Sequence, residues 1–254
     1  MQADATLGGE AWAAPGGPSG VLVLHGFTGT PATVLPVAEA LADAGHTVSA
    51  PLLPGHGTCI EDMISTRYAD WWAAAEVAYL DLAATNRSVA VVGLSMGATL
   101  TCELAIRHPE VAGIVCINPL MRPVERELLE LVDLMLDSGE TVSEGTGPDL
   151  ADPEASETAY DGSPLAAARS LYLALDHLQA DLPRIACPVL IMTSAEDHVV
   201  PPDNSDHLAA QVSGPVERIT LPRSYHVATL DHDREEVAAR TVRFVNRVTA
   251  GPSL

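Results

Sequence analysis

Ser95 is the first residue whose setting suggests chemistry. It lies in Gly93-Leu94-Ser95-Met96-Gly97, directly after the apolar run "VAVV" and before the helix-like stretch "ATLTCELAIRH". A serine in a sharp turn from a strand to a helix projects from the end of the sheet, and flanking glycines are needed because a Cβ there would collide with its neighbours. The five-residue motif alone also arises by chance, but the strand before it and the helix after it favour a nucleophilic serine.

Asp197 and His226 are candidates for the acid and the base that such a serine needs. A serine hydroxyl is a weak nucleophile at neutral pH, and a histidine that a carboxylate holds in one tautomer usually removes its proton. Asp197 follows the apolar run "PVLIMT", and His226 follows "VERITL". Glu196, beside Asp197, is the competing carboxylate. The order serine, acid, histidine predicts acyl transfer through a covalent intermediate.

Two backbone amides are candidates for binding the oxyanion that forms when a serine attacks a carbonyl. Met96 follows the nucleophile, so its amide lies at the start of a helix, where the helix dipole favours negative charge. The stretch "LHGFTGTP" forms a loop after the first apolar strand, and its sharp turn at His25-Gly26 leaves the Phe27 amide free. We therefore expect the amides of Phe27 and Met96 to form an oxyanion hole, in which each donor contributes about 3 kcal/mol.

The elements that would position these residues alternate between strand and helix. Short apolar runs predict strands at 21–25, 46–50, 88–93, 112–117, 188–193 and 216–221. Between them lie helix-period stretches such as "TPATVLPVAEALADAG", with Pro31 in its first turn and Gly45 at its end. This alternation indicates an α/β fold with a mostly parallel sheet of about six to seven strands, covered by helices on both faces.

The alternation stops between about 120 and 186, where the sequence shows no strand-like run. The helical stretches "PVERELLELVDLMLDSG" and "LAAARSLYLALDHLQ" flank a loop rich in glycine, proline and acidic residues. We interpret residues 121–183 as a small helical cap inserted into one core made of residues 1–120 and 184–254. The apolar helix face of this cap either packs on the core or lines a substrate pocket, and the pattern fits both.

The charge of the chain argues against several partners. It has 34 acidic and 13 basic residues, a formal net charge of −21, and every basic residue is arginine. Nucleic acid and anionic membranes would repel such a chain, whereas a solvated surface, with or without adaptation to high salt, explains it. The sequence has no apolar segment of the ~18 residues that a spanning helix needs and no signal-like leader. We expect a cytoplasmic protein without integral membrane association, a monomer or a small homo-oligomer.

Motifs for cofactors and metals are missing from the sequence. There is no lysine for a P-loop, no GxGxxG after a strand and no HExxH. The cysteines, at positions 59, 102, 116 and 187, lie far apart without a CxxC pair. They predict small apolar side chains rather than a zinc site or a disulfide framework. We expect neither a cofactor nor a metal.

Blocks spread from about residue 20 to 233 resemble one enzyme family. They are "LHGFTGTP", "GHGT" at 55–58, "EDM" at 61–63, "DWW" at 70–72, "GLSMGATL", "RIACP" at 184–188, "DHVVPP" and "SYHVATLD". In these blocks the chain resembles the α/β-hydrolase superfamily, and within it the bacterial monoacylglycerol lipases and related carboxylesterases. The resemblance implies a cofactor-free serine hydrolase of carboxylic esters, with a small-molecule acyl ester as its substrate. Monoacylglycerols are the expected substrates, and short-chain esters are the alternative.

The resemblance also implies a residue that binds the alcohol part of the substrate. Members of the family have a cap over an apolar acyl tunnel, with an acidic cap residue that recognises glycerol. The stretch "PEASETAYDGSP" is similar to that part of the cap, which would make Glu157 the head-group ligand, with Glu154 and Asp161 as rivals. A catalytically idle hydrolase fold that binds a small molecule is an alternative of another class. The presence of all three candidate catalytic residues argues against it.

Overall fold

A computed structural model describes residues 9–250. The segments 1–8 and 251–254 lie outside it, so the expectation that the N-terminus carries no signal-like leader falls partly outside the described residues. The strands of the described part are β1 (Trp12–Ala14), β2 (Ser19–Leu24), β3 (Thr47–Ala50), β4 (Ser88–Leu94), β5 (Ile114–Ile117), β6 (Val142–Glu144), β7 (Gly162–Pro164), β8 (Val189–Ser194) and β9 (Val216–Leu221).

Seven of these strands form one sheet in the order β1-β3-β2-β4-β5-β8-β9. All neighbours in it are parallel except β1, which pairs antiparallel with β3 at the edge. The strands β6 and β7 form a separate antiparallel pair. The carboxyl ends of the parallel strands lie at one edge of the sheet, where ligand sites of such sheets are found.

The helices cover both faces of the sheet. They are α1 (Leu35–Asp43), α2 (Ile60–Ile64), α3 (Tyr68–Thr85), α4 (Met96–Arg107), α5 (Arg126–Asp137), α6 (Leu165–Leu178), α7 (Asp203–Gln211) and α8 (Arg234–Thr249). Alternate residues of β2 face opposite sides, so that Leu22 packs in a core with α3 and α4, and Val23 packs in a second core with α1 and α8. The predicted layered architecture is therefore confirmed.

The prediction that no strand lies between 120 and 186 is wrong, because β6 and β7 are there. Each has three residues, and β7 consists of glycine, serine and proline, so neither produces an apolar run. The edge strand β1 was missed because it too is only three residues long. Pro31 begins a separate 3-10 turn, Pro31–Thr33, rather than the first turn of α1. Gly45 follows α1 with φ +92°, as its predicted position requires.

The segment that connects β5 to β8 contains α5, β6, β7 and α6. The helix α5 packs against α6, and the Asp133 carboxylate of α5 pairs with the Arg169 guanidinium of α6. Leu128, Leu131 and Leu134 of α5 are exposed. No helix among residues 9–250 combines the length and the hydropathy needed to cross a bilayer.

Candidate active site

Ser95 occupies the turn between β4 and α4. Its φ of 56° and ψ of −119° are strained for a residue with a Cβ, which is typical of functional turns. A Cβ on Gly93 would lie 2.2 Å from the backbone carbon of Gly97, and a Cβ on Gly97 would lie 2.2 Å from the Leu24 oxygen. Glycine is therefore required at both positions, as the sequence predicted. The turn leaves Ser95 8% exposed at the carboxyl end of the sheet.

His226 and Asp197 meet after the last two strands of the sheet. His226 Nδ1 lies 2.8 Å from Asp197 Oδ2, and these side chains are 9% and 1% exposed. Asp197 Oδ1 accepts the backbone N–H groups of Val199 and Val200 at 2.9 and 2.7 Å. These bonds fix the carboxylate so that His226 donates through Nδ1 and keeps Nε2 as the proton acceptor. Glu196, the competing carboxylate, is exposed.

Asn118 supports the loop that carries His226. It directly follows β5, has φ +42° and is buried. Its Nδ2 donates to the His226 carbonyl at 2.7 Å, and its Oδ1 accepts the Ser194 N–H at 2.7 Å. Asn118 was not among the residues predicted from the sequence. The available signal was a polar residue at the carboxyl end of a buried parallel strand.

Ser95 and His226 line one cavity of about 270 Å³. Within the described residues, no hydrogen bond joins Ser95 Oγ to His226 Nε2. Catalytic hydrogen bonds are often long without substrate and tighten when it binds. The apolar side chains that line this cavity include Phe27, Leu94, Leu120, Leu171, Tyr172 and Val200. The cavity therefore offers an apolar surface beside a polar reacting centre.

The two predicted oxyanion amides lie beside Ser95. A Cβ on Gly26 would be 3.3 Å from Ser95 Cβ, which places the loop of Phe27 against the serine. Met96 begins α4 directly after Ser95. In the part of the chain that the structure describes, neither amide donates a hydrogen bond to a protein acceptor. Both donors are thus available for an anionic oxygen.

Two buried histidines support the loop of Phe27 from behind. His25 Nε2 accepts the Leu53 N–H at 3.2 Å, so its Nδ1 carries the proton and donates to the Gly26 carbonyl at 2.9 Å. The ring of His56 packs edge-on against His25 and Trp71. Burial lowers the pKa of His25 to about 3 and that of His56 to about 4. Both rings are therefore neutral at physiological pH.

Glu157 lines the same cavity as Ser95 and His226. Its rival Asp161 also lines the cavity, whereas Glu154 is exposed and does not. Burial raises the pKa of Glu157, the His226 ring opposes this rise, and the Asp149 carboxylate adds to it. A carboxyl group with a raised pKa inside a cavity is well suited to hydrogen-bonding a ligand hydroxyl.

Comparison with known proteins identifies the family of this chain. The model of the alpha/beta hydrolase family matches residues 21–240. The chain belongs to the α/β hydrolase family. The resemblance and the fold class expected from the sequence are thereby confirmed.

Relatives of this α/β hydrolase include lipases and esterases. It is 43% identical over 240 residues to the thermostable monoacylglycerol lipase of Bacillus sp. strain H-257, covering 93% of this chain and 94% of that protein. It is 26% identical over 235 residues to a carboxylesterase of Bacillus subtilis strain 168, covering 92% and 94%. A solved structure from work on LipS and LipT, two metagenome-derived lipolytic enzymes, is 37% identical with a TM-score of 0.90, covering 94% and 98%.

Proposed function

We propose that this α/β hydrolase cleaves carboxylic esters, with Ser95 as nucleophile, His226 as base and Asp197 as the acid of the triad. The observation that carries the proposal is the 2.8 Å bond from His226 Nδ1 to Asp197 Oδ2, in a cavity that His226 shares with Ser95. A fixed histidine next to a serine in a strained turn is the arrangement that activates a hydroxyl group.

The reaction passes through an acyl-enzyme. Ser95 Oγ attacks the ester carbonyl while His226 Nε2 takes its proton, and the amides of Phe27 and Met96 bind the oxyanion. The tetrahedral intermediate then breaks the ester bond, and His226 gives its proton to the departing alcohol. Water repeats the two steps on the acyl-enzyme, which releases the fatty acid and restores Ser95.

Monoacylglycerols are the proposed substrates. The relative that is 43% identical to this chain over most of its length carries the name monoacylglycerol lipase. In the cavity, the apolar side chains would hold the acyl chain, and Glu157 would hydrogen-bond a glycerol hydroxyl. We propose residues 121–183 as the cap over this cavity, on the core of residues 1–120 and 184–254.

Hydrolysis of short-chain soluble esters is the second candidate. The relative named carboxylesterase, 26% identical to this chain, favours it. The two candidates differ in what they require of the head-group side of the cavity. A general esterase has no need of Glu157, whereas a monoacylglycerol lipase loses selectivity without it.

Hydrolysis of monoacylglycerols, tributyrin and short p-nitrophenyl esters tests both candidates. We expect the wild type to prefer monoacylglycerols, and Glu157→Gln to lower kcat/KM for them by about tenfold with little change for p-nitrophenyl esters. Glu154→Gln, in the same segment but outside the cavity, is the matched control and should behave as wild type. Preference for short esters, with Glu157→Gln equal to Glu154→Gln, would identify a general esterase.

The proposal includes the cellular location and the oligomeric state of the protein. We propose a cytoplasmic enzyme that works as a monomer or a small homo-oligomer on a small acyl ester. The four cysteines are free, which fits a reducing compartment. Light scattering after size exclusion would measure the oligomeric state, and a mass above that of a tetramer would contradict this proposal.

A further inference from the structure

Asp149 lies in the inserted segment but binds the loops that carry the candidate acid and base. Its Oδ2 accepts the backbone N–H of His226 at 3.0 Å and the backbone N–H of His198 at 3.1 Å. These residues are 77 and 49 positions away from it in the sequence. One carboxylate oxygen therefore joins the loop of Asp197, the neighbour of His198, to the loop of His226.

The two loops need such a link because the sheet no longer joins them there. The pairing of β8 with β9 ends at Ser194 and Leu221. The Ala195 N–H still donates to the Leu221 carbonyl at 3.0 Å, and beyond it side chains rather than the ladder join the loops, among them Ser194 Oγ, which donates to the Tyr225 carbonyl at 2.7 Å. The backbone of His226 is held on both sides of its Cα, because its carbonyl accepts from Asn118 and its N–H donates to Asp149. These two anchors fix the backbone of His226, and the bond from its Nδ1 to Asp197 Oδ2 orients the ring.

The carboxylate of Asp149 is well satisfied at this place. It is 13% exposed, and its Oδ1 accepts from His198 Nδ1 at 2.8 Å. This hydrogen bond and the nearby negative charge of Asp149 raise the pKa of His198. A mostly buried carboxylate destabilises a fold unless donors surround it, and here two amides and an imidazole do so.

A second carboxylate, on the side of His226, binds backbone N–H groups of the inserted segment in return. Asp231, on the histidine side, is fully buried and accepts the N–H groups of Ala151 and Asp152 at 2.8 and 2.9 Å. It also accepts the N–H of Tyr225, next to His226, at 2.9 Å. The segment 149–152 is thereby fixed to the histidine loop at several points, and the backbone that carries Asp149 is held in place.

We propose that Asp149 is a positioning residue for the triad, which holds His226 and the loop of Asp197 in register by accepting their backbone N–H groups. This role rests on the function proposed above. Without the shared acceptor the two loops move apart, and Nε2 of His226 no longer lies where Ser95 can use it. Displacement of a reacting group by about 1 Å lowers rates by up to about 100-fold.

Two substitutions at Asp149 distinguish a positioning role from an effect of its negative charge. Asp149→Ala removes both acceptors, and we expect kcat to fall about 10- to 100-fold while KM stays within about threefold. Asp149→Asn keeps one carbonyl oxygen for both N–H groups and its NH₂ can donate to neutral His198. We expect it to restore kcat to within about threefold of wild type. Glu144→Ala, an exposed residue of the same segment, is the matched control and should leave both constants unchanged.

An NMR measurement tests the proposal independently of hydrolysis. The His226 Nδ1–H that donates to Asp197 gives a downfield proton signal, which ¹⁵N-histidine labelling and the His226→Ala variant assign. This signal should broaden or shift in Asp149→Ala and persist in Asp149→Asn and Glu144→Ala. If Asp149→Ala does not fold, Asp149→Ser, whose side chain is too short to reach both amides, replaces it.

The outcomes distinguish this proposal from the proposed function. A wild type that neither hydrolyses esters nor reacts with a fluorophosphonate would overturn the function, and the NMR signal would still report on Asp149. Wild-type kcat and an unchanged signal in Asp149→Ala would overturn the positioning role. Equal losses in Asp149→Asn and Asp149→Ala would overturn it as well, because the charge rather than the shared acceptor would then matter.

Discussion

At the scale of single residues, Gly97 shows how little room surrounds the nucleophile turn. A Cβ at this position would lie 2.2 Å from the Leu24 oxygen and 2.7 Å from the His25 oxygen. Both contacts are with backbone, so a side chain cannot simply rotate away. The backbone of the loop that carries Phe27 would have to move.

We therefore predict that Gly97→Ala lowers both stability and activity. The free energy of unfolding should fall by about 1–3 kcal/mol, as for other overpacked sites, and kcat should fall because the Phe27 amide shifts. Urea unfolding and ester hydrolysis measure the two effects. Gly29→Ala is the control, because its Cβ would lie 3.4 Å from Thr33 Cγ2, an ordinary contact. Equal stability of the two variants would contradict the steric argument.

The buried histidines predict a loss of stability in acid. The pKa of His56 is about 4 in the folded state, against 6.5 for an unperturbed histidine, so the unfolded chain binds a proton that the fold excludes. The free energy of unfolding is therefore highest above pH 6.5 and declines as the pH falls towards 4. Proton uptake by His56 on unfolding accounts for about 3 kcal/mol of this decline, and His25 acts in the same direction.

The slope of the unfolding free energy between pH 6.5 and 4 tests this effect. In His56→Gln, which removes the titrating ring, the slope should be smaller than in wild type even if the overall stability is lower. His177→Gln removes an exposed histidine and should keep the wild-type slope. An unchanged slope in His56→Gln would mean that His56 is already protonated in the fold.

At the scale of elements, α5 has one buried position among several exposed ones. Val132 is 5% exposed, whereas Leu134 is 67% exposed. We predict that Val132→Ala lowers the free energy of unfolding by about 1–2 kcal/mol and that Leu134→Ala changes it by less than about 0.5 kcal/mol. Urea unfolding of the two variants measures the difference. A larger loss in Leu134→Ala would mean that α5 presents its other face to α6.

The long elements could be predicted from the sequence because each has a clear period. All six strands that were predicted occur in the structure, and the amphipathic stretches of the insertion form α5 and α6. The strands β1, β6 and β7 have three residues each and lie at an edge or in a separate pair. Their pairing depends on tertiary contacts, which local sequence does not encode.

The residues of the candidate site were likewise only partly predictable from the sequence. Ser95, Asp197 and His226 were predicted because each follows a recognisable strand, and the triad chemistry demands their types and order. Their catalytic roles remain predictions. Asn118 and Asp149 act through hydrogen bonds to backbone groups of distant loops. Such bonds give no local pattern, and Asp149 stands among other acidic residues of a loop.

At the scale of the whole molecule, the net charge of −21 produces self-repulsion. Screening by salt weakens repulsion between surface charges, because the Debye length falls to about 10 Å at 0.1 M. We predict that the melting temperature at pH 7 rises when NaCl increases from about 0.02 to 0.5 M. The rise should be smaller near pH 5, closer to the isoelectric point of about 4.5. A melting temperature that falls with NaCl at pH 7 would contradict this prediction.

Reaction with an alkyl fluorophosphonate tests whether Ser95 is an activated nucleophile. The probe phosphonylates a serine only where a base activates it, and tandem mass spectrometry locates the modified residue. We predict modification at Ser95 alone, slowed at least about 100-fold in His226→Ala and unchanged in His232→Ala, an exposed histidine. Modification of another residue, or ester hydrolysis that persists in Ser95→Ala, would contradict the assignment of Ser95 as the nucleophile.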